Sequence, residues 1–205
     1  MADSKLPPWW CLGLVLTALW AGVVVGGFYM LHAYEATPGQ SADPPACWPT
    51  GSRIPRTTER PTLLVFAHPR CPCTRATIDE LAVIMTHCQG KVDAHVLFYK
   101  PRGTTSAWEQ TATWRAAGRI PGVRVAVDPD GVEAARFSAQ TSGQALLFGR
   151  KGELLFSGGI TASRGHAGDN AGFDAIVALV AGRLPEAQET GVFGCPISGD
   201  RTALR

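Results

Sequence analysis

The sequence predicts an α/β domain, a mixed sheet with helices on both faces, carried behind an N-terminal transmembrane helix. Three observations predict it. Residues 9–31 are uncharged and mostly apolar, a run long enough to cross a bilayer as a helix. Thr62-Leu63-Leu64-Val65-Phe66-Ala67 is a short continuous apolar run, as in a strand covered on both faces. Beyond it, helix-like and strand-like patterns alternate until Gly149-Arg150-Lys151-Gly152 separates two apolar runs, which signals a hairpin.

The N-terminal span carries Trp9 and Trp10 at one end and Tyr29 and Tyr34 at the other, the placing of interfacial aromatic belts. Lys5 and the terminal amine precede it, and Glu35 and Asp43 follow it. The positive-inside rule then puts residues 1–8 in the cytoplasm and everything after the anchor, residues 9–34, on the other side. A cleaved signal peptide is the rival reading, but the apolar run exceeds a usual signal core and no small-x-small site stands out near its end. Cys11 falls inside the span and reads as a membrane-embedded thiol, with His32 at its interface. Residues 35–60, rich in Pro, Gly, Ser and Thr without periodicity, read as a linker in which only Cys47-Trp48-Pro49 looks tied down.

Within residues 61–184 the strand Thr62–Ala67 is followed by a helix from Thr74 to about Cys88, with Ile78, Leu81, Ala82, Met85 and Cys88 on one stripe. Val92 to Tyr99 reads as the second strand. Ser106 to Ala117 reads as a helix capped by Ser106, and Val123 to Val127 as the third strand. A short helix around Val132 to Phe137 precedes the hairpin of Gln144–Phe148 and Glu153–Ser157. The last helix, Phe173 to Ala181, presents Phe173, Ile176, Val177 and Val180 on one face, with Asp169 or Asn170 as its cap. A crossover helix makes the first strands parallel, and the hairpin makes the sheet mixed. Residues 185–205 read as a tail.

A net charge of +2 and the absence of a basic run interleaved with aromatics exclude nucleic acid as a partner. No GxxxxGK[ST], HExxH or GxSxG motif is present. The chemistry concentrates in His68-Pro69-Arg70-Cys71-Pro72-Cys73-Thr74-Arg75, between the first strand and the first helix. Cys71 precedes a proline and is kept extended, while Pro72 suits a first helical position, which leaves Cys73 in the first turn. Both sulfurs then lie near a helix N-terminus, where free N–H groups favour thiolates, with Arg70 and Arg75 adding positive charge. This is the geometry of a redox site, with Cys71 the more exposed nucleophile and Cys73 the resolving thiol. A bridge over a single residue removes little chain entropy, so a purely structural disulfide is the weaker explanation.

The element order, with a cysteine pair after the first strand, resembles the thioredoxin fold across roughly Arg60 to Arg183. The tether makes the chain similar to the membrane-anchored thioredoxin-like proteins of the bacterial envelope. The strings from His68 to Ala76, Ser157-Gly158-Gly159-Ile160-Thr161 and Gly165-His166-Ala167-Gly168-Asp169-Asn170 resemble the bacterial group labelled RedB. The resemblance implies a single-pass protein of the bacterial inner membrane whose domain faces the periplasm. It also implies thiol–disulfide exchange at Cys71 and Cys73 with a protein or small-molecule thiol partner, and no cofactor or resident metal. The chain departs from that pattern in having CxC for CxxC, Arg70 for an aromatic residue, and Gly143, after Ser142, where such proteins carry a cis-proline facing the cysteines. No acid within Leu63 to Phe66 serves as a buried proton acceptor.

Membrane-anchored copper-delivery proteins of the same fold supply the alternative, with Cys71, Cys73 and His166 as soft-metal ligands. His87 and Cys88 do not join such a site, because helical rise of about 1.5 Å per residue puts them on the order of 20 Å from the CPC turn. Cys88 reads as a core cysteine, His95 as a solvated or satisfied strand residue, and His68 as either a support for the thiolate charge or a metal ligand. Cys47 and Cys195, each beside a proline, either pair with one another or leave Cys195 to exchange with the CPC pair.

Overall fold

The structure, a computed structural model, describes residues 8–40, 43–105 and 107–198. These fall into two compact units that divide between Ala36 and Thr37. The first is one helix, α1 (Pro8–Ala36), which is long and apolar enough to cross a membrane. Lys5, which sets the predicted orientation, lies outside the described residues.

The second unit is built on β1 (Thr62–Ala67), whose six side chains are all buried. Around it run β2 (Asp93–Lys100), β3 (Val123–Pro129), β4 (Gln144–Phe148) and β5 (Leu154–Gly158), in the spatial order β3-β2-β1-β4-β5. β1 pairs parallel with β2 and antiparallel with β4, so the sheet is mixed, as the sequence predicts. Successive side chains on a strand face opposite ways. Leu63, Val65 and Ala67 accordingly enter one core with α2 (Thr74–His87), α3 (Ala112–Ala117) and α5 (Ala171–Val180). Leu64 and Phe66 enter a second core with Phe137 and Phe148, covered by α4 (Val132–Arg136).

Two segments without regular structure complete that second face. Of residues 35–60, read from composition as a linker, the first two belong to α1, while Ile54 enters the core and Trp48 an aromatic cluster, edge-on to Phe137 and Phe148 at 5.1 and 5.2 Å. Trp48 N also donates to Gly152 O, and Leu154 N to Ala46 O. From the C-terminal side, Ile197 is 2% exposed in the same core.

The helix expected from Ser106 begins only at Ala112. Residues 107–110 turn instead, with Gln110 N bonded to Ala107 O, and Thr111 caps the helix by accepting from Trp114 N. Ser106 itself lies outside the described residues. Asn170, one of two candidate caps for α5, accepts from Phe173 N at 2.8 Å.

Candidate functional site

The CPC turn joins the end of β1 to α2. Cys71 N donates to His68 O, and Thr74 N donates back to Cys71 O, both at 3.1 Å, closing a turn before the helix starts. The helix starts at Thr74, as the sequence predicts, with Cys73 as its cap, so Pro72 stands in the turn before the helix rather than at its first position. Two hydroxyls staple the turn from below. Thr74 Oγ1 donates to His68 O at 3.0 Å and shares a hydrogen bond with Ser142 Oγ, which accepts from His68 N at 2.9 Å. The segment opposite the cysteines is therefore Ser142-Gly143, at the place the resemblance assigns to a cis-proline. Gly143 adopts φ +96°, donates to Phe66 O at 2.8 Å, and lies where an added Cβ would stand 3.1 Å from Thr77 Oγ1. A side chain is disfavoured there on both counts.

A third cysteine completes the site. Ser142 N donates to Cys195 O and Ile197 N to Gln140 O, each at 2.8 Å, with Thr141 and Pro196 paired between them. Gly194 passes so close that a Cβ there would meet Ser142 O at 1.9 Å, and its carbonyl accepts from Arg164 Nη1. Arg164 Nε also donates to Thr37 O at 3.2 Å. This docking sets Cys195 against Cys71, whose sulfur accepts from both the Cys195 thiol and its backbone N–H. Cys73 is in turn within hydrogen-bonding reach of Cys71. The three sulfurs form a chain with Cys71 in the middle.

The expectation that Cys71 is the more exposed thiol is not met. Cys71 is 4% and Cys73 7% exposed, because the tail and the Arg164-Gly165 segment lie over them, while Cys195 is only partly covered. The electrostatics nevertheless favour a thiolate at Cys71. Burial pushes its thiol up, but hydrogen bonds from the Cys195 backbone and thiol and from the Cys73 backbone together bring it below its ordinary value. Burial and the neighbouring Cys71 charge hold Cys73 up, opposed by Arg164 and the Gly165 backbone. Burial, then the hydrogen bond to Cys71, pushes Cys195 up to about 12. Of the three sulfurs Cys71 is the one whose surroundings favour the thiolate, while those of Cys73 and Cys195 favour the thiol.

The charge near the sulfurs comes from Arg164 rather than from the arginines flanking the motif. The Arg70 guanidinium lies 4.7 Å over the Trp108 ring, and Arg75 pairs with Asp79 at 3.9 Å. His68 stacks on Tyr99 and meets Trp108 edge-on. Burial, then Arg70, lowers its pKa, so it stands by the site as a neutral imidazole. His166 is exposed with Nδ1 bonded to Arg164 O at 2.9 Å. Among the described residues no group of three or more His, Cys, Asp or Glu is arranged to hold a metal ion.

Cys88 is 1% exposed in the first core, as its place on the helix stripe predicts. Cys47 is exposed and backbone-bridged to Glu153, and it is not bonded to Cys195. His95, expected on a solvated or satisfied position, is instead buried with Nε2 unpartnered. It lines a cavity of about 320 Å³ that shares no residue with the cysteine site.

No family model matches the chain, and no curated protein matches it. The structure is similar to that of a hypothetical protein from Sinorhizobium meliloti 1021, with TM-score 0.57 and 18% identity over 78% of this chain and 93% of that one. It is similar also to an uncharacterised conserved protein from Geobacillus kaustophilus, with TM-score 0.55 and 19% identity over 80% of this chain and 92% of that one. A secreted disulfide oxidoreductase from Mycobacterium tuberculosis overlaps more loosely, with TM-score 0.42 and 15% identity over 60% of this chain and 82% of that one. The strand order β3-β2-β1-β4-β5, with β2 parallel and β4 antiparallel to β1 and helices on both faces, makes the fold thioredoxin-like. At these identities the likeness concerns the fold alone.

Proposed function

We propose that this chain is a thiol–disulfide oxidoreductase tethered to the bacterial inner membrane by α1, with its domain in the periplasm. The observation that carries the reading is the cysteine pair at the start of α2. Cys71 is held below its ordinary pKa by converging hydrogen bonds, with the Cys73 sulfur beside it as a thiol. The Cys71 thiolate attacks one sulfur of a partner disulfide, and the other partner sulfur leaves and takes up a proton. Cys73 then loses its proton and attacks Cys71 Sγ, which closes the CPC disulfide and releases the second partner thiol. Two electrons pass to the partner, and the reverse sequence returns them. The charge asymmetry about the anchor supports the orientation, with Lys5 before it and Glu35 and Asp43 after it. The strings around Cys71, Ser157 and His166 support a place in the RedB-like group.

The test is a redox titration of the full chain in detergent, in glutathione buffers, quenched in acid and alkylated under denaturing conditions. Cys71 and Cys73 are expected to pass together from alkylated to protected as the buffer becomes more oxidising. If both stay alkylated at every potential, the dithiol is not redox-active and the proposal fails. Denaturing before alkylation matters, since it separates redox state from burial.

A further inference from the structure

We propose that Cys195 is a third redox thiol, which forms a disulfide with Cys71 and is the sulfur at which an outside thiol meets the protein. The inference rests on the oxidoreductase reading above and extends it to the C-terminal tail. Its first support is placement. Cys195 is held against Cys71 by backbone pairing on both sides, through Ser142 N to Cys195 O and Ile197 N to Gln140 O, with the Arg164 guanidinium on Gly194 O. Gly194 is required for it, since any Cβ would overlap the Ser142 carbonyl. Pro196 keeps Cys195 extended, as Pro72 does Cys71. A thiol fixed in this way reacts with its neighbour at a high effective concentration.

The second support is access. Cys71 and Cys73 are buried under the tail, and Cys195 is the partly exposed member of the chain of sulfurs. An outside thiolate approaching the oxidised site meets Cys195 Sγ first. Its attack forms a mixed disulfide on Cys195, breaks the Cys71–Cys195 bond, and expels Cys71 as a thiolate. That is the favourable direction, because the sulfur of lower pKa leaves faster. A second outside thiolate attacks the mixed disulfide at the outside sulfur, forming the external disulfide and releasing Cys195, which takes up a proton. Two external thiols are oxidised and the Cys71–Cys195 pair is reduced by the same two electrons. Run backwards, an external disulfide oxidises the pair.

Cys73 connects this outer bridge to the inner one. Its thiol loses a proton and attacks Cys71 Sγ, which forms Cys71–Cys73 and frees Cys195 with no net oxidation. In the reduced site the Cys195 thiol donates to Cys71 Sγ. Once Cys71 is bridged to one neighbour it carries no charge, and the nearby Arg164 charge favours ionisation of the one thiol that remains.

The experiment uses the full chain in detergent with glutathione and oxidised glutathione as probes, acid quenching, and disulfide mapping by mass spectrometry. Cys73→Ser is expected to retain one internal disulfide, mapped to Cys71–Cys195. Cys195→Ser is expected to retain Cys71–Cys73, with its reduction by glutathione slowed at least ~10-fold because attack must reach a buried sulfur. The inference is overturned if Cys73→Ser forms no internal disulfide, if Cys195 maps to Cys47 instead, or if Cys195→Ser is reduced at the wild-type rate. In each of those cases a wild-type Cys71–Cys73 bridge leaves the oxidoreductase reading standing. A wild-type chain that forms no bridge among the three overturns both.

Discussion

Substituting Gly194 by alanine should expose the cysteine pair without touching a sulfur. An ideal Cβ at this position lies 1.9 Å from Ser142 O and 2.9 Å from Ser142 C, both backbone atoms that no rotamer change moves aside. The segment must therefore lift. Lifting forfeits the hydrogen bonds of Cys195 O with Ser142 N, of Ile197 N with Gln140 O, and of Gly194 O with Arg164. At roughly 1 kcal/mol net for each bond, docking weakens by about 2–3 kcal/mol. Since ~1.4 kcal/mol is tenfold, the open population grows roughly 30- to 150-fold. The assay is maleimide labelling of the reduced full chain at about pH 10, where Cys71 is a thiolate in both proteins and only access differs. Peptide mapping follows Cys71 and Cys73, with buried Cys88 as an internal control for global unfolding. Labelling of Cys71 should accelerate by tens of fold while that of Cys88 stays constant. An unchanged Cys71 rate would show that the tail does not cover the site, and Cys88 rising in step would show that the whole domain has loosened instead.

Three further outcomes are expected. Thr74→Val removes the buried hydroxyl that bonds His68 O and Ser142 Oγ beneath the turn and should cost about 1–2 kcal/mol in denaturant unfolding; a loss indistinguishable from zero would show that the staple does not hold the turn. For Cys195 the folded-state pKa is raised from 9.0 to about 12, so its contribution to stability is complete below pH 9.0 and lost as the pH climbs towards 12. The difference in thermal midpoint between the wild type and Cys195→Ser should shrink across that window, and a difference that grows would reverse the assigned direction. Trp48→Ala removes the edge-on packing against Phe137 and Phe148 and should cost about 3 kcal/mol in denaturant unfolding, since truncating a packed aromatic leaves a cavity. A loss indistinguishable from zero would mean that residues around Trp48 do not belong to the folded unit.

Most of the sheet was legible because each strand announces itself locally. Thr62–Ala67 is apolar at every position, and that is what a strand buried on both faces requires. Gln144–Phe148 is bounded by turn residues and was placed to the residue, and Asn170 was one of two candidates for the cap it provides. Boundaries moved where a tertiary partner took over. The helix near Trp108 is short because the ring packs against His68 and Tyr99 rather than into the core behind α3. His95 is buried where the sequence predicts a solvated or satisfied position, because a single polar residue in a strand does not say how deeply its face is buried. Trp48 and Ile54 lie in a stretch without periodicity and yet pack into the second core, which composition alone does not reveal.

The site divides in the same way. By itself the sequence determined that two cysteines stand one residue apart where an apolar strand hands over to a helix, because that placement depends only on neighbours along the chain. It also determined that an apolar helix long enough to cross a bilayer precedes the domain. Only the tertiary structure decided that Cys195 joins them, that Arg164 rather than Arg70 or Arg75 supplies the nearby charge, and that the pair is covered. Those contacts are made by backbone groups of residues 140–143 and 194–197 and by a glycine whose need is a close approach. Backbone hydrogen bonds between distant segments leave no side-chain pattern to read, so the chain has to fold before its third sulfur finds the first two.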